Sequence, residues 1–186
     1  MTNLFESRVG GETLRFNPRT VEVDHTMIVV KQASRDDIPA MVAVEQAIYG
    51  FAPWNNAAFE SELSHKRRLY LVAENPETKT VLAFAGLSIN DFEAESHITN
   101  IGVAPDVQRR GLGSRLLKIL MLVSRECGMK TISLEVRRSN HDAQRLYERL
   151  GFVTQQLRRK YYVDNGEDAY EMSLNLEGEQ KNHDRR

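Results

Sequence analysis

The stretch Gln108-Arg109-Arg110-Gly111-Leu112-Gly113 decides how this chain is read. It joins a β-branched run that ends at Val103 to an apolar-periodic run that begins at Leu112, the passage from a strand into a helix. Glycines at a helix start let the backbone approach a ligand without interference from Cβ. The unpaired N–H groups of the first turn and the positive end of the helix dipole make such a place a phosphate cradle. No Gly-Lys-Ser/Thr follows, so this is not a Walker A loop, and the order is not the GxGxxG of a dinucleotide site. A glycine pair by itself fits tight packing of helix on sheet equally well. The surroundings carry the argument.

Downstream, Leu112, Leu116, Ile119, Leu120 and Val123 predict a well-buried helix over 111–127, with Gly128 as its C-cap. Ile132, Leu134 and Val136 alternate with Ser133 and Glu135, which predicts a strand over 131–136. Asn140 can cap a helix with the stripe Ala143, Leu146, Tyr147 and Leu150, stopped by Gly151; two strands, 152–162 and 169–176, finish the domain. Upstream, 98–103 is a strand in which Gly102 marks a bulge or a close backbone approach. Residues 69–73 and 81–89 are strands around the turn Asn75-Pro76-Glu77-Thr78. A helix starts near Asn55 or Asn56. An earlier one is capped by Ser34, carries Asp36 and Asp37 in its first turn and ends near Gly50. Met27-Ile28-Val29-Val30 is the first strand. The order β-α-α-β-β-β-α-β-α-β-β predicts an α/β domain with helices on the faces of a mixed sheet.

At 186 residues the chain has room for one domain. Its 25 Lys and Arg nearly cancel its 26 Asp and Glu, so no overall field points to nucleic acid or a membrane surface. Short basic clusters at 66–68, 109–110, 137–138 and 158–160 read as solvated faces. One cysteine, Cys127, rules out an internal disulfide and fits a small buried hydrophobe in a reducing compartment. The most apolar run, 116–123, holds Lys118 and is far below membrane-spanning length. Residues 1–10 carry no secretory signal, so the chain is expected in the cytoplasm. His25, His65, His97, His141 and His183 show no metal-ligand spacing, and no metal is expected. The expected division is a poorly ordered N-terminal extension, 1–26, loose or draped on the domain. A domain over 27–176 and a polar tail over 177–186 follow.

The residues from Val103 to Gly113 resemble the acetyl-CoA motif of the GCN5-related N-acetyltransferases, Q/R-x-x-G-x-G/A after a strand. Leu134-Glu135-Val136-Arg137-Arg138-Ser139-Asn140 and Leu146-Tyr147-Glu148 with Gly151-Phe152 resemble that family's second signature. The resemblance runs from about Ile28 to Leu176. It is closest to the ribosomal-protein-alanine N-acetyltransferase branch, to which the stretch Arg158-Arg159-Lys160-Tyr161-Tyr162 is also similar. It implies the GNAT fold: a mostly antiparallel central sheet, splayed in the middle and flanked by about four helices.

The resemblance also implies roles. Ile101, Gly102 and Val103 would pair through their backbone with the pantetheine arm of acetyl-CoA, as an added strand pairs with a sheet edge. Arg109, Arg110, Gly111, Leu112, Gly113 and Ser114 would bind the pyrophosphate, and Asn140 would contact the cofactor near the open end of the sheet. Glu135 would be the general base, although an exposed strand glutamate fits its position too. Tyr147 would protonate the leaving sulfur, although a core tyrosine fits an apolar stripe as well. Pro53, Trp54, Tyr161 and Tyr162 are candidates for the acceptor groove. Arg158 and Arg159 either attract an acidic acceptor or form a solvated cluster.

The acceptor that this branch implies is a protein N-terminus, that of small-subunit ribosomal protein 18, met by a monomer without nucleic acid or membrane. An α-amine with a pKa near ~8 is roughly a tenth neutral at pH 7, and a lysine near ~10.4 about 0.04%. The difference is worth about 3.5 kcal/mol, so an α-amine needs only modest help from a base. Two other readings stay open: the same fold acting on a small amine or antibiotic, and a non-catalytic acyl-CoA-binding domain.

Overall fold

The structure, a computed structural model, describes residues 13–177. Eight strands form one sheet: β1 (Arg19–Val23), β2 (Thr26–Gln32), β3 (Arg68–Glu74), β4 (Val81–Asn90), β5 (Glu95–Val103), β6 (Thr131–Arg137), β7 (Val153–Tyr162) and β8 (Glu167–Asn175). Their order across the sheet is β1-β2-β3-β4-β5-β6-β8-β7. Every neighbouring pair is antiparallel except β5 and β6. Four α-helices cover the sheet: α1 (Ile38–Tyr49), α2 (Asn56–Ser64), α3 (Leu112–Glu126) and α4 (His141–Arg149).

Helices α1 and α2 bury Ile38, Met41, Val44 and Phe59 against Tyr70, Val72 and Phe84 on one face. Leu112, Leu116, Leu117, Leu120 and Val123 of α3, with Tyr147 of α4, pack on Leu69, Leu71, Ala85, Ile98, Leu134 and Val136 on the other. The local signals act where they occur. The Asn55 side chain accepts the Ala58 N–H at 3.0 Å, and Gly128 and Gly151 adopt left-handed conformations after α3 and α4. Ser34 is capped in reverse: its N–H and hydroxyl both donate to Asp37, over a 3-10 turn that leads into α1.

Starting the domain at Met27 proves too late. β1 runs antiparallel to β2, joined by a two-residue turn in which Asp24 and His25 both have positive φ. Ahead of it, Leu14 and Phe16 are buried. The Gln32 side chain holds that segment, accepting the Phe16 N–H at 2.9 Å and donating to the Leu14 carbonyl at 3.3 Å. Residues 13–26 are thus packed onto the domain. Residues 1–12 and 178–186 lie outside the described residues, with most of the expected tail.

The feature that positions the site is the junction of β5 with β6. These parallel strands pair only at Glu95↔Thr131, Ser96↔Ile132 and His97↔Ser133, while β5 stays paired with β4 as far as Val103. Beyond His97 the two strands part and the sheet splays open. A bulge begins the divergence: Gly86 stands opposite Asn100 and Leu87 opposite Ile98, which leaves Thr99 unpaired. The bulge lies at Thr99 and not at Gly102. Gly102 supplies the close approach instead, since a Cβ there would lie 2.6 Å from the Phe84 ring.

Gly86 is equally constrained, because a Cβ would lie 2.4 Å from the Tyr70 ring and 2.5 Å from the Thr99 hydroxyl. Gly86→Ala should cost about 1–3 kcal/mol by overpacking. Phe16→Ala should cost about 3 kcal/mol through the cavity it leaves. Urea unfolding read by circular dichroism measures both; an unchanged midpoint for Phe16→Ala would put residues 13–16 outside the cooperative core.

Candidate active site

The splay encloses a cavity of about 510 Å³. Residues 98–101 of β5 and 134–137 of β6 form its walls, and Tyr147 of α4 and Glu45 and Tyr49 of α1 line it. Two connecting segments rim it, 51–54 between α1 and α2 and 161–164 at the end of β7. Because β6 leaves β5 after His97, the inner edge of residues 98–103 has no strand partner among the described residues. It offers backbone N–H and C=O groups to an amide-bearing ligand. Ile101, Gly102 and Val103 lie on that edge, and Gln108 secures its end by donating to the Val103 carbonyl at 2.9 Å.

The tip of α3 follows at once. Gly111 is its N-cap, with φ 91° and open space around its Cα, a conformation suited to glycine. The first main-chain bond of the helix runs from the Arg115 N–H to Gly111, so Leu112, Gly113 and Ser114 point unpaired N–H groups out of the helix end. Among the described residues no side chain caps them. This is a fit to a diphosphate: backbone donors, helix dipole and an uncrowded approach coincide. Arg109, itself left-handed, pairs with Asp142 at 2.6 Å, which ties this loop to the start of α4. Arg110 is exposed beside it. Asn140 lines the cavity while its side-chain oxygen accepts the Ala143 N–H at 3.1 Å, so it is also the cap of α4.

Glu135 and Tyr147 both line the cavity. The Glu135 side chain is only 10% exposed and lies 3.1 Å from His97 Nε2 and 3.7 Å from the Arg158 guanidinium. Burial alone would raise its pKa; the imidazole and guanidinium outweigh burial and hold it below the usual carboxylate range. The Tyr161 hydroxyl also faces it. Tyr147 is buried against Phe152, and burial holds its phenol far above the ordinary range. At neutral pH the cavity therefore contains a charged carboxylate and a protonated phenol, the pair that acyl transfer to an amine can use as base and acid.

The acceptor rim is built from aromatic side chains. Trp54 packs on Phe59 at 5.5 Å, and Tyr161 meets Tyr162 edge to face at 5.2 Å. A wide bulge in β7 re-aims the tyrosines: Arg159, Lys160 and Tyr161 stand opposite the single residue Asp168, whose carboxylate accepts the Lys160 N–H at 2.9 Å. Of two basic residues read as solvated, Arg137 is largely buried and lines the cavity, whereas Arg158 is exposed and reaches it only through Glu135. Arg137 forks onto Asp164 and Glu167 at 2.9 and 3.2 Å and lies 3.8 Å over the Tyr162 ring. Arg158 binds Glu171 at 2.5 Å and faces Glu135.

Sequence reasoning passed over two further residues. Glu45, on α1, is 2% exposed, accepts the Trp54 N–H at 2.9 Å and the Asn100 amide at 2.8 Å, and has its pKa raised by burial. Its signal was a carboxylate among the apolar positions of an amphipathic helix. His97 was weighed only as a metal ligand. Its position two residues before the Thr99 bulge carried no local sign of its contact with Glu135.

The comparisons agree with this geometry. The Acetyltransferase (GNAT) family profile matches residues 38–152. The chain is 37% identical over 150 residues to the [ribosomal protein bS18]-alanine N-acetyltransferase of Escherichia coli K12, which covers 80% of this chain and 97% of that relative. It is 36% identical over 154 residues to the N-alpha-acetyltransferase RimI of Mycobacterium tuberculosis, with 80% and 93% covered. The crystal structure of the ribosomal-protein-S18-alanine N-acetyltransferase from E. coli superposes with a TM-score of 0.72 at 35% identity, covering 84% of this chain and 98% of that one. A sheet opened beside a glycine-capped helix, together with these likenesses, places the chain in the GNAT acetyltransferase family as an acetyl-CoA-dependent N-acetyltransferase.

Proposed function

We propose that this chain acetylates the N-terminal α-amine of a protein, the N-terminal alanine of small-subunit ribosomal protein 18 being the acceptor. The observation that carries the reading is the meeting of Glu135 and Tyr147 in one cavity rimmed by Trp54, Tyr161 and Tyr162, with the α3 tip packed at Gly113 against Val103, where the free edge of β5 ends. The names of the relatives over four-fifths of the chain supply the acceptor.

The free edge at Ile101, Gly102 and Val103 receives the pantetheine arm, and residues 109–114 receive the pyrophosphate, chiefly by main-chain N–H. Asn140 borders the same ligand. This holds the thioester in the wedge, where orientation alone removes much of the barrier. Trp54, Tyr161 and Tyr162 border the incoming chain end. Glu135 takes the proton from the ammonium, directly or through a water. Tyr147 gives its proton to the departing thiolate, which its raised pKa equips it to do without first ionising.

Mass spectrometry of acetyl transfer to an Ala-starting peptide should show modification at the α-amine. The same peptide with a blocked N-terminus and an internal lysine should stay unmodified; equal transfer to both would reject the acceptor. Glu135→Gln should lower kcat by about 10²–10⁴ while CoA binding, measured by calorimetry, persists. Tyr147→Phe should also lower kcat with little change in KM, since the hydroxyl is needed only as the C–S bond breaks.

A further inference from the structure

We infer that the proton acceptor of this chain is a Glu135–His97 couple, with His97 passing the proton from the cavity to solvent. The inference rests on the acetyl-transfer reading above and deepens it. His97 bridges two carboxylates through defined contacts. Its Nε2 lies 3.1 Å from Glu135 and its Nδ1 lies 3.1 Å from the Ser133 hydroxyl, which in turn donates to Glu95. The side chain of Glu135 is 10% exposed and that of His97 34%, so the imidazole stands between a buried carboxylate and water.

Hydrogen-bond direction fixes what the couple can do. A charged carboxylate only accepts, so the single hydroxyl proton of Ser133 is committed to Glu95. Toward His97 the Ser133 oxygen must then accept, and Nδ1 carries a proton. That leaves Nε2 facing Glu135. Without a proton between them, a nitrogen lone pair opposes a carboxylate oxygen at 3.1 Å; with one, they form a charge-assisted hydrogen bond. The couple therefore has a place for one mobile proton, shared between Nε2 and the carboxylate. Glu135 alone, held low by Arg158 and His97, is a weak base at neutral pH.

The charged groups around the couple leave that proton to His97. Arg158 is divided between Glu135 and Glu171 on β8, and the Tyr161 hydroxyl faces Glu135 from β7. Glu95 acts through Ser133. Arg68, two strands away in the same row through Ser88, is engaged by Glu62 of α2.

The step balances as follows. The α-ammonium gives one proton to the couple, and the freed nitrogen lone pair forms the C–N bond to the thioester carbon. The C–S bond breaks, and the thiolate takes the Tyr147 proton. One of the two protons still on the former amine restores Tyr147 and leaves the amide. The net proton departs from His97 to water.

The test compares pH profiles of kcat, which is free of the unbound amine's ionisation, for the full chain and for His97→Gln, His97→Ala and Glu135→Gln. CoA binding and thermal melting serve as folding controls. The unaltered enzyme should gain kcat with rising pH through one ionisation that belongs to the couple. His97→Gln should lose that limb and fall on the order of 100-fold, the low end for positioned proton transfer. Added imidazole should restore part of the rate of His97→Ala. A limb that persists in His97→Gln, or no response of His97→Ala to imidazole, overturns the couple. If Glu135→Gln is impaired while His97→Gln keeps its limb, the couple alone fails; full activity of Glu135→Gln instead removes the role of Glu135 in the transfer.

Discussion

The site depends on one interruption: parallel pairing of β5 with β6 stops after three residues. A continuous ladder would satisfy the backbone groups of 98–103 and 134–137 within the sheet and leave no cavity. The Thr99 bulge turns β5 out of that pairing, and the Tyr70–Thr99 hydrogen bond of 2.8 Å holds the bulged residue to β3. Backbone donors and acceptors left without a strand cost about 1–3 kcal/mol each if they stay both buried and unmet. A ligand rich in amides repays that cost on binding. The incomplete sheet thus offers an edge suited to a ligand rich in amides.

Charge in the wedge follows from who stands beside whom. Glu45 and Glu135 line the same cavity, yet burial raises the first, while the His97 imidazole and the Arg158 guanidinium lower the second. Glu45 spends both oxygens on Trp54 and Asn100, so it braces the rim against β5. Arg137 does comparable work opposite, joining β6 to Asp164 and Glu167 beneath Tyr162. Such pairs matter more for geometry than for net stability, because desolvation offsets much of their attraction. Their removal would loosen the aromatic rim before it unfolded the domain.

Much of the architecture was legible because its signals are local. The α3 stripe at Leu112, Leu116 and Leu120, the caps at Asn55 and Asn140 and the stops at Gly128 and Gly151 act over one or two helical turns. β1 was missed although Val21 and Val23 alternate with Glu22, because its turn uses Asp24-His25 where Asn-Gly or Asp-Gly is the usual sign. Reading the 137–138 cluster as solvated misled for a related reason. Nothing near Arg137 in the chain announces the carboxylates of Asp164 and Glu167, which arrive from the β7–β8 turn.

By itself the sequence determined every element from β2 onward, the glycine-lined tip of α3 and the residue types able to act as base and acid. Periodicity, capping and turn chemistry operate between near neighbours along the chain. Only the tertiary structure decided that Glu135 would be nearly buried, that His97 would stand 3.1 Å from it, and that Glu45 would reach Asn100 across 55 residues. Burial and long-range pairing set a carboxylate's basicity. Both are properties of the packed sheet, which no short stretch of sequence contains.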